Sequence, residues 1–107
     1  MISRIVNCVI NPANVDEFRT ALNMEMLPRI QKQKGFIDNI ESLDPATGQF
    51  CCTTLWETAA DEQNYGKGLF AEVGAKLGPM MQGAPTVQTL PVENSSAHRV
   101  EAGKVAA

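Results

Sequence analysis

Four residues of this sequence carry side chains suited to binding a small molecule: Asn7, Cys52, Trp56 and Tyr65. The Trp56 ring suits stacking on a flat molecule and equally suits core packing. Tyr65 could donate a hydrogen bond or release a proton, or simply pack with its hydroxyl in water. Asn7 lies in an otherwise apolar stretch, as either a ligand-orienting amide or a structural polar group. We predict that these four residues bind substrate, and we assign no catalytic residue.

Cysteine and histidine chemistry is restricted in this chain. Cys8, Cys51 and Cys52 lack CxxC spacing, and adjacent strand residues point to opposite faces, so we predict reduced thiols. No base or cation beside Cys52 in the sequence would activate its thiol. The single histidine, His98, lies in a polar C-terminal stretch. We therefore predict no metal site and no pair of nucleophile and histidine.

Two pairs of acidic residues are explained without catalysis. Asp16 with Glu17, and Asp61 with Glu62, fall in the first turns of predicted helices, where carboxylates interact favourably with the helix dipole. We expect no catalytic role for them. The methionine side chain is flexible and polarisable, so it can fill a core or line the mouth of a pocket. For most of four methionines we expect core packing, with a pocket mouth as the alternative. These methionines are Met24, Met26, Met80 and Met81.

The pattern of β-branched and apolar residues predicts four strands. Their ranges are 2–10, 36–43, 49–56 and 86–93. In the first strand, alternation places Asn7 on one face and Cys8 on the other. The turn residues at 44–48 indicate an antiparallel hairpin between the second and third strands. Pro91 lacks an N–H and places the fourth strand at an edge of the sheet.

Two helices are predicted between the strands. Asn14, with Glu17 three residues later, indicates a capped start, and Lys34-Gly35 indicates the end of the first helix. Pro28 should kink or restart this helix near Leu27. Its apolar stripe comprises Val15, Phe18, Leu22, Met26 and Ile30. The second helix starts at the Thr58 cap and contains Tyr65, Leu69, Val73 and Leu77, with a break expected near Gly66 and Gly68.

The order strand, helix, strand, strand, helix, strand predicts an α+β fold of the ferredoxin-like βαββαβ type. Such a fold has an antiparallel four-stranded sheet with both helices on one face. Residues 1–93 form this domain, and 94–107 read as a C-terminal tail by composition. Because the first and third strands carry apolar residues on both faces, we predict a homodimer packed through the open sheet face.

Composition excludes several classes of partner. The chain has 107 residues, with 9 Lys and Arg against 12 Asp and Glu, which gives a net charge of −3. No basic cluster is present that would cover phosphates, so we expect no nucleic-acid partner. The apolar runs are shorter than a membrane span, and the first residues lack a signal-peptide pattern. We expect a cytoplasmic protein that does not bind membranes.

Residues 1 to 93 resemble the antibiotic biosynthesis monooxygenase family of the dimeric α+β-barrel superfamily. The resemblance rests on three segments: Ile5-Val6-Asn7-Cys8-Val9-Ile10, Leu27-Pro28 leading into Lys34-Gly35-Phe36-Ile37, and Leu55-Trp56-Glu57-Thr58. It implies a homodimeric barrel and a pocket for a small aromatic or quinol-like molecule. It also implies oxygenation without metal or flavin, in which the anion of the substrate itself reduces oxygen.

Two departures from that family concern the predicted site. Trp56 matches the tryptophan that ends the third strand in the family, but the asparagine four residues before it is replaced here by Cys52. The haem-degrading branch is similar at Asn7 and Trp56, yet it requires a histidine on the second helix. Tyr65-Gly66-Lys67 supplies none, so haem degradation is not expected.

Three functions therefore remain open. The first is a cofactor-independent monooxygenase acting on a small aromatic or quinol-like substrate. The second is a non-catalytic domain that binds a small apolar molecule in the same pocket. The third is a structural dimer module with a collapsed pocket, which a cavity above roughly 300 Å³ would contradict.

Overall fold

The computed structural model describes residues 1–100 and 103. The strands are β1 (Ile2–Val9), β2 (Phe36–Leu43), β3 (Gln49–Trp56) and β4 (Thr86–Pro91). The α-helices are α1 (Val15–Thr20), α2 (Leu27–Gln31), α3 (Ala59–Lys67) and α4 (Leu69–Leu77). A π-helical segment, Ala21–Met26, joins α1 to α2, and short 3₁₀ turns lie at Pro12–Asn14 and Gly78–Met80.

The four strands form one antiparallel sheet in the order β2-β3-β1-β4. This order, with a helical region after β1 and another after β3, is the predicted ferredoxin-like fold. The bounds of β2 and β3 agree with the prediction, whereas β4 ends two residues early, at Pro91. The edge position of β4 is confirmed, because it pairs with β1 alone.

The first helical region contains the interruption that Pro28 predicts. In the π-helical segment the N–H of Leu27 donates to the carbonyl of Leu22, five residues back. A regular α-helix then resumes at Leu27, with Pro28 in its first turn, where a missing N–H is tolerated. The predicted cap at Asn14 is wrong in detail. Its side chain donates to the Glu17 carboxylate at 3.2 Å and makes no cap bond to the backbone.

The second helical region divides at Gly68, as the glycines predicted. Gly68 has φ −106° and ψ −103°, outside the helical range, and it separates α3 from α4. The start of α3 also agrees with the prediction, because the Thr58 hydroxyl accepts the N–H of Asp61 at 3.1 Å. The break turns the chain so that Tyr65 on α3 and Phe70 on α4 lie edge to face, with ring centroids 5.7 Å apart.

The core lies between the helices and one face of the sheet. Strand alternation places Arg4, Val6 and Cys8 of β1 on this face, and their neighbours Ile5 and Asn7 on the other. The cross-strand partner of Val6 on β3 is Cys52, which shares the helix-covered face. The largest fully buried side chains of the core are those of Trp56, Phe18 and Ile10.

The opposite sheet face is partly open and carries apolar side chains. Ile40 of β2 is 54% exposed and Leu90 of β4 is 45% exposed, and register places both on this face. A short loop, closed by a backbone bridge between Ser95 and Val100, contacts one end of β2. There the His98 ring lies 2.9 Å from the Asp38 carboxylate. The rest of the predicted tail, 101–102 and 104–107, lies outside the described residues.

Candidate functional site

An interior cavity of about 80 Å³ lies between the sheet and the helices. The sheet contributes Arg4, Cys8 and Cys52, and the helices contribute Tyr65 and Phe70. Most of the remaining lining is aliphatic or aromatic. The volume is below the size that would contradict a collapsed pocket, so a flat aromatic ligand enters only if part of the wall moves.

A cluster of aromatic rings packs behind the cavity wall. Trp56 stacks on Tyr65 with ring centroids 4.7 Å apart and an interplanar angle of 23°. Phe36 meets the same indole edge to face at 5.8 Å, and the indole N–H donates to the Thr54 hydroxyl at 2.9 Å. Trp56 is completely buried, and Tyr65 rather than Trp56 lines the cavity. The indole therefore holds Tyr65 in place from behind.

Cys52 lies on the sheet side of the cavity and is not activated. Its thiol donates to the amide oxygen of Asn39 at 3.0 Å. Burial, followed by the nearby Glu41 carboxylate, raises the pKa of Cys52 to about 12. Burial also raises the pKa of Cys8. Both groups are neutral thiols near neutral pH, and a neutral thiol is a weak nucleophile. The three cysteines are free, as predicted.

Tyr65 is equally unsuited to act as a base near neutral pH. Burial and the neighbouring Cys52 raise its pKa well above the ordinary tyrosine value, against an opposing effect of Arg4. A protonated phenol can only donate or accept a hydrogen bond. The cavity thus offers hydroxyl, thiol and amide groups from Tyr65, Cys52 and Asn39 beside one cation, Arg4.

Arg4 is the charged residue of the cavity, and sequence reasoning missed it. Its guanidinium donates from Nη1 to Oε2 of Glu62 at 2.6 Å and lies 4.2 Å above the centre of the Phe70 ring. The Thr89 hydroxyl donates to the same Glu62 oxygen at 3.1 Å. The side chains of Arg4 and Glu62 are only 12% and 4% exposed. The signal available in the sequence was an arginine inside a β-branched strand, in register with Val6 and Cys8.

The expectation that the helix dipole fully explains the acidic pairs is therefore wrong for one of them. Asp16 and Glu17 are exposed, as such a role allows. Asp61 and Glu62 are buried. Glu62 neutralises Arg4, and the Asp61 carboxylate occupies the space beside Gly35 where a side chain would otherwise begin. A buried carboxylate needs a counter-charge or hydrogen-bond donors to offset the loss of water.

The structure does not bring all four predicted site residues together. Cys52 and Tyr65 line the cavity, and Trp56 supports Tyr65. Asn7 is exposed on the opposite sheet face, where it pairs in register with Cys51 and Thr86. These residues line a broad surface depression of about 790 Å³. The sheet itself separates Asn7 from the interior cavity, because side chains alternate along β1.

Within the described part of the chain, no cluster of three or more His, Cys, Asp or Glu side chains could hold a metal ion. The helices described there include none that is both long and apolar enough to span a bilayer.

No protein-family model matches this sequence, and no curated protein matches it either. Solved structures do match. A monooxygenase of Streptomyces coelicolor, determined in complex with nanaomycin D, superposes with a TM-score of 0.74 at 15% identity, over 88% of each chain. A Caulobacter crescentus protein, provisionally named an antibiotic biosynthesis monooxygenase, has a TM-score of 0.71 at 21% identity, over 83% of this chain and 86% of that one.

A similarly named protein of Bordetella bronchiseptica has a TM-score of 0.71 at 16% identity, over 85% of this chain and 95% of that chain. At these identities the likeness shows the fold. The resemblance to antibiotic biosynthesis monooxygenases suggested by the sequence is confirmed at that level.

Proposed function

We propose that this protein is a cofactor-independent monooxygenase that binds a small aromatic or quinol-like substrate in the interior cavity. The observation that carries the proposal is the arrangement of that cavity. Tyr65, backed by Trp56, lies on one side, and the Arg4 guanidinium lies beside it against Phe70. Its fold is shared with the Streptomyces coelicolor monooxygenase solved with nanaomycin D.

In the proposed reaction, the substrate supplies the electrons. Where a CH₂ group lies between aromatic rings, one oxygen atom of O₂ replaces its two hydrogens to form a carbonyl, and the other leaves as water. The carbon loses four electrons and O₂ gains four. The protein binds and orients the substrate anion and keeps water from it. Because Cys52 and Tyr65 stay protonated near neutral pH, the substrate binds as an anion already formed in solution.

Binding requires the cavity to widen. Phe70 and Met81 are only partly buried and lie on its wall. Met81 has a flexible, unbranched side chain, so it can move without disturbing the buried core. We propose that these two side chains form the mouth. For Met81 this proposal takes the pocket mouth, which the sequence analysis gave as the alternative to core packing.

Oxygen consumption tests the reaction. Purified protein is supplied with anthrones, naphthohydroquinones and simple phenols, and the rate is compared with that of the same solution without protein. The expected result is uptake above background with at least one acidic compound, and formation of a product that has gained one oxygen atom, as when an anthrone becomes an anthraquinone. Tyr65→Phe should slow this turnover, whereas Met24→Ala, at an exposed helix position, should not. Background rates with every compound would overturn the proposal.

A second candidate is a binding domain without catalysis. Two observations favour it: the cavity is small, and its thiol and phenol have raised pKa values. This candidate predicts that aromatic compounds bind, as seen by quenching of Trp56 fluorescence, while none is converted. Turnover of any bound compound would exclude it.

The oligomeric state belongs to the same proposal. Exposed Ile40 and Leu90 on the open sheet face support a homodimer packed through that face. The interior cavity lies on the other side of the sheet, so each chain would carry its own site. The free cysteines accord with a cytoplasmic location, which stays a prediction.

A further inference from the structure

The guanidinium of Arg4 is held between two groups on the second helical region. The Phe70 ring covers one side, with its centre 4.2 Å from Cζ. Gly66 lies on the α3 side, where a Cβ would come within 2.8 Å of Nη1 and 3.2 Å of Cζ. A glycine inside a helix costs about 1 kcal/mol relative to alanine. The need to leave space for the guanidinium explains why a glycine occupies this helix position.

The hydrogen bonds of the guanidinium are incomplete. Nη1 donates to Glu62, but the buried Nε has no acceptor among the described residues. A buried donor without an acceptor is unfavourable, and each such group in a folded protein calls for an explanation. Arg4 also lines the interior cavity. A bound ligand would supply the missing acceptor.

We propose that Arg4 binds the ionised oxygen of a phenol or enol through Nε, and so selects the anionic form of an aromatic ligand. The inference rests on the proposed function, because it requires the cavity to admit an aromatic ring. The Glu62 carboxylate accepts a hydrogen bond from Nη1 of the guanidinium and another from the Thr89 hydroxyl. Nε makes no hydrogen bond in this arrangement, so it can donate to a second acceptor once the cavity widens. A hydrogen bond from a guanidinium to an oxyanion in a buried site is stronger than one to a neutral oxygen.

The orientation of the ligand follows from this contact. With its oxygen at Arg4, the ring of the ligand extends toward Tyr65 and away from Glu62, whose charge would repel an anion. Arg4 is thus a binding residue that sets specificity, and Gly66 is a positioning residue that acts through it.

Two probes of nearly equal size test the proposal. The first is 4-nitrophenol, at a pH where it is mostly ionised in water, and the second is nitrobenzene, which lacks the oxygen anion. Binding is measured by quenching of Trp56 fluorescence, and the visible band of 4-nitrophenolate reports its ionisation. The variant Arg4→Lys keeps the positive charge beside Glu62 but removes Nε. The control Arg29→Lys makes the same change in an exposed pair with Glu72.

The expected result is that wild type binds 4-nitrophenolate about tenfold more tightly than nitrobenzene. Arg4→Lys should lose that preference while still binding nitrobenzene, and Arg29→Lys should keep it. Gly66→Ala should also lose that preference, because the new methyl group displaces the guanidinium.

Equal affinity for the two probes in wild type, or an unchanged preference in Arg4→Lys, would overturn the role of Arg4 and leave the aromatic cavity in place. Failure of both probes to bind wild type would overturn the cavity and the inference together. Preferential binding of 4-nitrophenolate without oxygen uptake on any quinol would support the inference and reject the monooxygenase.

Discussion

The buried ion pair between Arg4 and Glu62 sets the electrostatics of the cavity at the scale of single residues. Its two atoms lie 2.6 Å apart, and both side chains are largely removed from water. A buried pair adds little net stability, but removing one partner leaves an uncompensated charge. The pair therefore matters more for holding the guanidinium in one position than for the stability it contributes.

Glu62→Gln should lower the free energy of unfolding by about 2–5 kcal/mol, because Arg4 then stays buried without a counter-charge. Urea denaturation measures the change. Glu72→Gln breaks the exposed pair with Arg29 and should change stability by less than about 1 kcal/mol. Similar losses of unfolding free energy in both variants would show that burial of the Arg4–Glu62 pair does not determine the cost of breaking it.

Cys52 makes a prediction about alkaline pH. Its pKa is raised from 9.0 to about 12 by burial, so above pH 9 the unfolded chain loses this proton while the folded chain keeps it. Stability must then fall as pH rises through that window. Between pH 8 and pH 10, wild type should lose up to about 1.4 kcal/mol more than Cys52→Ala. Equal losses in guanidinium titrations at the two pH values would contradict the burial of this thiol.

Part of the site could be predicted from residue types alone. Alternation along β3 alone puts Cys52, Thr54 and Trp56 on one face of the strand, and in the structure this is the helix-covered face. The partnership of Arg4 with Glu62 could not be predicted, because 58 positions separate the two residues and only the packed fold brings them together. The same alternation separates Asn7 from the cavity, but the sequence does not say which face the helices cover.

At the scale of elements, the interruptions of the helices were the most predictable features. Proline cannot donate an N–H, and the structure accommodates Pro28 with a bond from Leu27 to Leu22 one residue longer than the α-helical pattern. Glycine weakens a helix, and Gly68 divides the second helical region. The cap at Asn14 failed because its amide bonds the Glu17 side chain instead of the backbone.

The turn between β2 and β3 makes a prediction about Gly48. This residue has φ +82°, and a Cβ there would overlap the carbonyl oxygen of Ile10. The two residues lie close together because the backbone N–H of Ile10 donates to the carbonyl of Gly48. Gly48→Ala should lower the free energy of unfolding by more than about 2 kcal/mol, since backbone strain and a steric clash add. Thermal and urea denaturation measure the effect.

Gly83→Ala is the matched control for this turn. Gly83 has φ +80° but open space where a Cβ would lie. It should show the backbone strain alone, about 1–2 kcal/mol. Equal effects of the two substitutions would show that the approach of Ile10 does not matter.

At the scale of the whole molecule, the sheet separates two surfaces of different character. The helix-covered face contains the cavity, and the open face carries exposed Ile40 and Leu90. The fold could be predicted because strand and helix order alone leads to the ferredoxin-like topology. The cavity volume could not, because it depends on how α3 and α4 pack on the sheet.

The dimer proposal predicts that Ile40→Glu converts a dimer into a monomer, because two charges would then be buried at the interface. Light scattering coupled to size exclusion measures the mass. Met24→Glu places the same charge at a helix position that is 74% exposed and should leave the dimer intact. A wild-type protein that is monomeric at high concentration would exclude the interface.

A crystal structure of the protein with a hydroxylated anthraquinone bound tests the proposed site most directly. We expect ring density inside the cavity against Tyr65, with the phenolic oxygen at Arg4 and with Phe70 or Met81 displaced. Density only on the opposite face of the sheet, against Asn7 and Cys51, would contradict it.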